Sequence, residues 1–121
     1  MAVILEVRNA LGIITPSGPL DAAAVESFHA QMAAWWEASD QVAHVVVDLD
    51  QVGFMDSSGL GALIGLARRT ASRGGSVRLA RPRDSVKLVL DITRASRLFP
   101  IHGDLGQAIA AAEAGAGAAG A

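Results

Sequence analysis

The chain has 121 residues, 51% of them hydrophobic, and its ten lysine and arginine residues against twelve acidic residues give a net charge of -2. This composition predicts one domain with its own core and disfavours nucleic acid as a direct partner, because phosphate backbones bind concentrated basic surfaces. Cysteine is absent, which excludes disulfides and thiolate chemistry, and no signal peptide or membrane-length apolar stretch is evident, so we expect a cytoplasmic protein without membrane insertion.

The N-terminal part predicts a β-hairpin. Residues 3–7 and 11–15 are rich in aliphatic and β-branched side chains and are separated by a short turn around residues 8–10. Turn-forming residues follow from Thr15 and end on Asp21. Asp21 is a good N-cap, so we expect a helix to begin directly after it.

That helix is predicted to be amphipathic and to close near Ser39 and Asp40. Apolar residues recur at helical spacing and define one inward face. They are Val25, Phe28, Met32, Trp35 and Trp36. We interpret the two tryptophans as one core residue and one half-covered flank, not as an exposed binding platform.

The most informative segment follows a buried strand, predicted over residues 45–49 from a continuous apolar run. Residues 56–61 read Asp-Ser-Ser-Gly-Leu-Gly, and apolar residues at helical spacing continue from Leu60. We expect Asp56 or Ser57 to cap this helix. The first N–H groups of a helix have no intrahelical partner and carry partial positive charge, so a hydroxyl held there can cap the helix or carry an added anion.

Glycines distinguish this helix from an ordinary capped one. Gly59, Gly61 and Gly65 each cost about 1 kcal/mol relative to alanine in a helix interior. Gly61 and Gly65 are four residues apart and share a face, which we expect to admit close approach by a neighbouring element or another molecule. Plain capping is the alternative interpretation of the polar residues, and packing of helix against sheet is the alternative for Gly61.

Enzymatic interpretations of the same segment fail on spacing. The glycines from Gly59 to Gly65 are one residue too far apart for the dinucleotide fingerprint, and no Gly-Lys-Ser/Thr follows. Neither serine stands in the G-x-S-x-G frame of hydrolases. His29, His44 and His102 are scattered without metal-ligand spacing. We therefore expect no enzymatic activity, no metal and no cofactor, and a nucleotide-binding α/β enzyme remains a minor alternative.

The C-terminal half continues the alternation of strands and helices. Residues 72–75 are expected to stop the helix, and residues 76–80 alternate like a strand with one solvated face. Residues 82–85 open a third helix whose inward stripe is Val86, Val89, Leu90 and Thr93. A short edge strand is predicted over residues 98–101, at the periphery because it contains a proline.

A last helix is predicted from Asp104, with Leu105, Ala108, Ile109 and Ala112 facing inward. It is expected to lose regular structure near Gly115, in an Ala/Gly-rich end. We therefore predict a domain over residues 1–112 and a flexible tail over residues 113–121. The fold class is a single α/β domain: a small mixed sheet of four to five strands, mostly parallel with an N-terminal hairpin, packed by about four helices.

These residues resemble a known family. The segment Asp56-Ser57-Ser58-Gly59-Leu60-Gly61, between a valine-rich strand and an apolar helix, is similar to the signature of the STAS domain as found in bacterial anti-sigma factor antagonists. Residues 18–21 read Gly-Pro-Leu-Asp and match the family's Gly-Glu-Leu/Ile-Asp turn at three of four positions. Residues 74–75 and 90–93 match later segments in order and spacing, and the resemblance covers roughly residues 3–112.

The resemblance implies a phosphorylation switch. In that family the unphosphorylated domain binds an anti-sigma factor that is also a serine kinase, which frees sigma factor, and a serine phosphatase reverses the modification. The modified serine directly follows the motif's aspartate, which is Ser57 here, with Ser58 as the alternative. The implied partner surface comprises Asp21, Asp56, Ser57, Ser58, Gly59 and Gly61.

Two departures from the family pattern concern the choice of partner. Pro19 replaces the usual glutamate, and Arg94 and Ala95 stand where Gly-Leu is common. A STAS domain can also be a non-switching subunit of a transporter or signalling scaffold. The pair of hydroxyls at residues 57 and 58 argues against that alternative.

Overall fold

Strands and helices alternate along the chain as the periodicity predicts. The computed structural model describes residues 1–120, and side chains are described for residues 1–115. In chain order the elements are β1 (Ala2–Arg8), β2 (Leu11–Ser17), α1 (Ala22–Ala38), β3 (His44–Asp48), α2 (Ser57–Ser72), β4 (Val77–Ala80), α3 (Asp84–Ile92), a 3-10 turn (Ala95–Arg97), β5 (Ile101–His102) and α4 (Leu105–Gly120).

The strands form one mixed sheet in the order β1-β2-β3-β4-β5. The pair β1 and β2 is antiparallel, and the other pairs are parallel. The hairpin turn consists of Asn9 and Ala10, whose φ angles of 49° and 68° suit the tight turns that match strand twist. The predicted α/β fold, with an N-terminal hairpin and a parallel core, is confirmed.

Helices cover both faces of the sheet, which explains the continuous apolar run in β3. Val45 and Val47 face a large core shared with α1, α2 and α3. Val46 points to the opposite face, where Ala108 and Ala112 of α4 pack against the sheet. A central strand buried on both sides cannot alternate polar and apolar residues.

The C-terminal ends of α1 and α2 are joined by one side chain. Arg73, at the end of α2, donates hydrogen bonds to the carbonyl oxygens of Trp36 at 3.0 Å and of Ser39 and Val42 at 2.9 Å. Its guanidinium also lies 3.6 Å from the ring centre of Trp36. Carbonyls at a helix C-terminus lack intrahelical partners, so a cation there both satisfies them and complements the helix dipole.

The edge strand predicted over residues 98–101 is wrong in position. Arg94 has a φ of 60°, and the following 3-10 turn continues to Leu98, whose N–H donates to the carbonyl of Ala95. Pairing with β4 begins where the Pro100 carbonyl accepts from Leu79 N–H at 2.9 Å. The strand therefore occupies Ile101–His102.

Helix α4 extends beyond its predicted end. It begins after Asp104 as expected but runs to Gly120, past the glycine at 115. Alanines dominate this segment, and their high helix propensity offsets the scattered glycines. Ala121 lies outside the described residues, and the flexibility of residues 113–121 stays a prediction.

Candidate functional site

Two turns meet at the edge of the sheet where the parallel strands β2 and β3 end. Leu20 and Met55 form a short parallel bridge between them. Leu20 N–H donates to the Phe54 carbonyl at 2.9 Å, and Gly18 N–H donates to the Gln51 carbonyl at 3.0 Å. The N-termini of α1 and α2 are thereby brought side by side, at the strand ends where sites of α/β proteins commonly lie.

Asp56 connects the two helix starts. Its Oδ1 accepts hydrogen bonds from the N–H groups of Ser58 at 2.9 Å and Gly59 at 3.1 Å, which caps α2. Its Oδ2 accepts from Ala22 N–H, in the first turn of α1, at 3.2 Å. The sequence left open whether Asp56 or Ser57 is the cap, and the structure assigns it to Asp56.

Within the described residues, Asp21 caps its own helix and makes no contact with the start of α2 like that of Asp56 with α1. Its Oδ1 accepts from Ala24 N–H at 3.0 Å, so the predicted N-cap is confirmed. Asp21 and Asp56 are both half-buried and lie on the two turns that run together. The structure therefore brings both acids to the same edge, as the resemblance implied.

The two serines differ in their surroundings. Ser57 is the first residue of α2 and is exposed, and within residues 1–120 its hydroxyl makes no hydrogen bond. Ser58 is half-buried, and its N–H is taken by Asp56. An exposed, unengaged hydroxyl at a helix N-terminus can accept a phosphoryl group without breaking an existing contact.

The glycines of α2 divide into two kinds. Gly59 is buried, and a Cβ there would overlap the carbonyl oxygen of Leu20. A Cβ at Gly61 or Gly65 would meet nothing within 4 Å among the described atoms. Gly59 therefore permits the two turns to approach, whereas Gly61 lies on an open face, and its alternative interpretation as internal packing is wrong.

Two neighbouring surfaces were not anticipated from the sequence. Phe54, directly before the bridge residue Met55, is 53% exposed. A groove with a cavity of about 50 Å³ lies between α1 and α2, and its lining includes Phe28, His29, Gly65 and Arg69. Phe54 lies two residues before Asp56, and periodicity alone does not show the exposure of a loop residue.

An ion pair lies at the C-terminal end of β3. Arg81 donates two hydrogen bonds to the buried carboxylate of Asp48, one from Nε at 3.2 Å and one from Nη2 at 2.6 Å. The hydrogen bond to Asp48 raises the pKa of Arg81 above its ordinary value. Among the described residues, no group of three or more histidine or acidic side chains is placed to hold a metal ion.

Replacing Asp56 should destabilise the protein more than replacing Asp21. We expect Asp56→Ala to lower the free energy of unfolding by about 2 kcal/mol, because it removes the cap of α2 and an acceptor for α1. The matched variant Asp21→Ala loses one cap and should lose about 1 kcal/mol. Urea unfolding of both variants measures the difference, and equal losses would show that the contact from Asp56 to Ala22 contributes nothing.

The chain is similar in sequence to a known domain family and to a member of it. The model of the STAS domain family matches residues 2–108. An anti-sigma F factor antagonist from Paenibacillus polymyxa is 28% identical over 102 residues, which cover 84% of this chain and 86% of that protein.

Solved structures with the same fold include both regulators and transporters. The anti-sigma factor antagonist SpoIIAA in its unphosphorylated form superposes with a TM-score of 0.76 at 26% identity, over 89% of this chain and 93% of that one. The Bacillus cell fate determinant SpoIIAA in its phosphorylated form gives 0.69 at the same identity, over 89% and 96%. The murine anion transporter Slc26a9 gives 0.74 at 20% identity, over 90% of this chain but 18% of the transporter.

The transporter similarity concerns one fold within a much longer chain. In the present protein, none of the helices within the described residues is both long and apolar enough to cross a membrane.

Proposed function

Because the chain belongs to the STAS domain family, we propose that it is an anti-sigma factor antagonist whose partner binding is switched off by phosphorylation of Ser57. The unphosphorylated form binds an anti-sigma factor that is a serine kinase, and sigma factor is released. A serine phosphatase restores the binding form. The protein acts in the cytoplasm as a binding module, and the kinase supplies the catalysis.

One observation carries the proposal: the Ser57 hydroxyl is exposed and unengaged, beside Asp56 at the start of α2. The related antagonist SpoIIAA has been solved in unphosphorylated and phosphorylated forms, which supports a role for phosphate in proteins of this kind. Ser58 is less suited as the acceptor, because it is half-buried and its backbone is held by Asp56.

The proposed partner surface centres on the two joined turns. Ser57 and Gly61 are exposed on it, and Ser58, Asp21 and Asp56 are partly accessible. Gly59 contributes indirectly, because it is buried and lets the turns come together. The exposed Pro19 stands where the family usually has glutamate, so the cognate partner makes one charge contact fewer at this edge.

The chemistry of phosphate explains an off switch at this position. A phosphoserine carries about -1.5 to -2 charges, which the positive end of α2 tolerates. A partner surface shaped for a hydroxyl must instead accommodate or desolvate that anion. Repulsion from any acid on the partner adds to the loss.

Mapping the modification tests the proposal. After treatment with the cognate kinase, mass spectrometry should find phosphate on Ser57 in the wild-type protein and in Ser58→Ala, and none in Ser57→Ala. Ser58→Ala is the matched control, because it removes the neighbouring hydroxyl while leaving the acceptor. Phosphate on Ser58 with Ser57 unmodified would contradict the assignment.

A second candidate is a non-switching STAS subunit of a transporter or signalling scaffold, which the fold similarity to Slc26a9 favours. Affinity capture with the Ser57→Ala variant separates the two. Recovery of a small kinase with an ATPase fold supports the antagonist, and recovery of a transporter subunit supports the scaffold role. Nucleotide binding in a calorimetric titration of the isolated chain would instead support the alternative of a nucleotide-binding α/β enzyme.

A further inference from the structure

The outer edge of β1 is a long and regular strand edge. Within the described part of the chain, β1 pairs only with β2 and is the first strand of the sheet. Its register from Ala2 to Arg8 is unbroken, so it contains no bulge. Its sequence, AVILEVR, has neither proline nor lysine. Natural proteins commonly protect edge strands with bulges, prolines and charged side chains, and a long regular edge with few of them is a template for pairing. The charged residues of β1 are Glu6 and Arg8, which pair with each other at 3.1 Å.

The turn geometry determines which backbone groups point outward. Arg8 and Leu11 close the turn at Asn9 and Ala10, so Arg8 faces β2 with both its hydrogen-bonding groups. Hydrogen bonding alternates along an antiparallel strand, which directs the N–H and C=O groups of Val3, Leu5 and Val7 away from β2. These three residues therefore present free donors and acceptors at the edge.

We propose that this edge pairs with β1 of a second copy of the chain, antiparallel and around a two-fold axis at Leu5. In this register Leu5 faces Leu5 of the other copy, and Val3 faces Val7, so each outward residue exchanges both of its hydrogen bonds. The whole length of β1 is paired. Shifting the register in either direction leaves at least one outward residue of the strand unpaired, and one such shift places Glu6 opposite Glu6.

The side chains fit a self-complementary interface. Ile4 is 56% exposed and Val7 is 40% exposed, so both have apolar surface that a partner strand can cover. In the proposed register Ile4 lies directly across from Glu6 of the other copy and can cover its aliphatic stem. Arg8 faces Ala2 in the same register, so no like charges meet across the axis. Glu6 also pairs with Arg8 of its own chain at 3.1 Å. A second copy is therefore the occupant that this edge matches in length, hydrogen-bonding pattern and charge.

The pairing would leave the phosphoacceptor accessible. The two-fold axis stands perpendicular to the joined sheet, and the turns carrying Asp21 and Ser57 lie at the far ends of β2 and β3. The dimer then presents two independent sites that point in opposite directions. We accordingly expect Ser57→Asp to leave dimer affinity unchanged. The dimer and the proposed phosphorylation switch can therefore be tested, and refuted, independently.

A charge pair at residue 4 tests the register. Ile4→Glu places the new glutamate opposite Glu6 of the other copy, once on each side of the axis, and should weaken the dimer at least tenfold. Ile4→Lys places a lysine opposite Glu6 instead and should retain the dimer. Sedimentation velocity over a dilution series of each full chain measures dimer affinity, and thermal melts report folding. Equal dimer affinity of the two variants would overturn the proposal. So would a wild-type protein that stays monomeric up to about 1 mM, since a dissociation constant of that size corresponds to a binding free energy of only about 4 kcal/mol.

A cysteine introduced into this cysteine-free chain gives a second, independent test. Leu5→Cys puts two thiols on the two-fold axis, at a Cα separation of about 5.5 Å that a disulfide can span. Oxidation should produce a covalent dimer. Val7→Cys is the matched control, because residue 7 faces Val3 of the other copy and should crosslink at least tenfold more slowly. Equal crosslinking at both positions would contradict the assigned axis.

Discussion

Gly59→Ala is expected to lower the free energy of unfolding by about 3 kcal/mol, because the added methyl group has no room at this position. The added Cβ would overlap the Leu20 carbonyl oxygen and lie 2.9 Å from side-chain carbons of both Leu20 and Met55. A backbone atom cannot rotate aside as a side chain can. The turns must therefore separate, which weakens their bridge and exposes the buried hydrogen bond from Leu20 to Phe54.

Gly61→Ala is the matched control for this prediction. It lies in the same helix, but a Cβ there meets nothing within 4 Å in the described structure. Alanine has higher helix propensity, so Gly61→Ala should be neutral or raise stability by up to about 1 kcal/mol. Chemical unfolding of the two variants gives the comparison. Similar changes in stability in both variants would mean that the contact with Leu20 does not decide the outcome.

Phosphorylation of Ser57 is expected to reduce affinity for the kinase partner at least tenfold, which corresponds to about 1.4 kcal/mol, while leaving the fold intact. The added anion gains about 0.3 to 1 kcal/mol from the N-terminus of α2. Repulsion from Asp56, which is half-buried beside it, opposes this gain by a similar amount. The net change in stability should therefore be small, and the loss should appear in binding.

Binding titrations and thermal melts of both forms test this separation. Ser57→Ala should bind constitutively, and Ser57→Asp should reproduce the modified state only in part, because a carboxylate brings one charge where phosphate brings nearly two. Full affinity of the phosphorylated protein would refute the switch. A large shift in melting temperature or helix content would replace the surface mechanism with a conformational one.

Local signals made much of the site predictable. The caps Asp21 and Asp56 are short-range features, since each accepts from N–H groups within three residues. The buried strand and the amphipathic pattern of α2 are likewise visible in sequence periodicity. The third hydrogen bond that Asp56 accepts, from Ala22 N–H, was not predicted because it joins residues 34 positions apart.

The remaining differences depend on long-range contacts. Gly59 and Gly61 look equivalent in the sequence, and only the position of Leu20 makes one obligatory and leaves the other open. Strand β5 is two residues long, and its location is set by hydrogen bonds with β4 rather than by its own propensity. The length of α4 reflects the high helix propensity of its alanines. The glycines of the same segment led to the prediction of an earlier helix end.

Helices α1 and α2 are fastened to each other at both ends, by Asp56 where they begin and by Arg73 where they finish. Neither helix can fray from its terminus without also breaking a contact made by the other. We therefore expect the backbone amides of the two helices to exchange with deuterium through a common opening, with similar protection and a shared response to denaturant. A ligand that binds only one of the helices would then slow amide exchange in both.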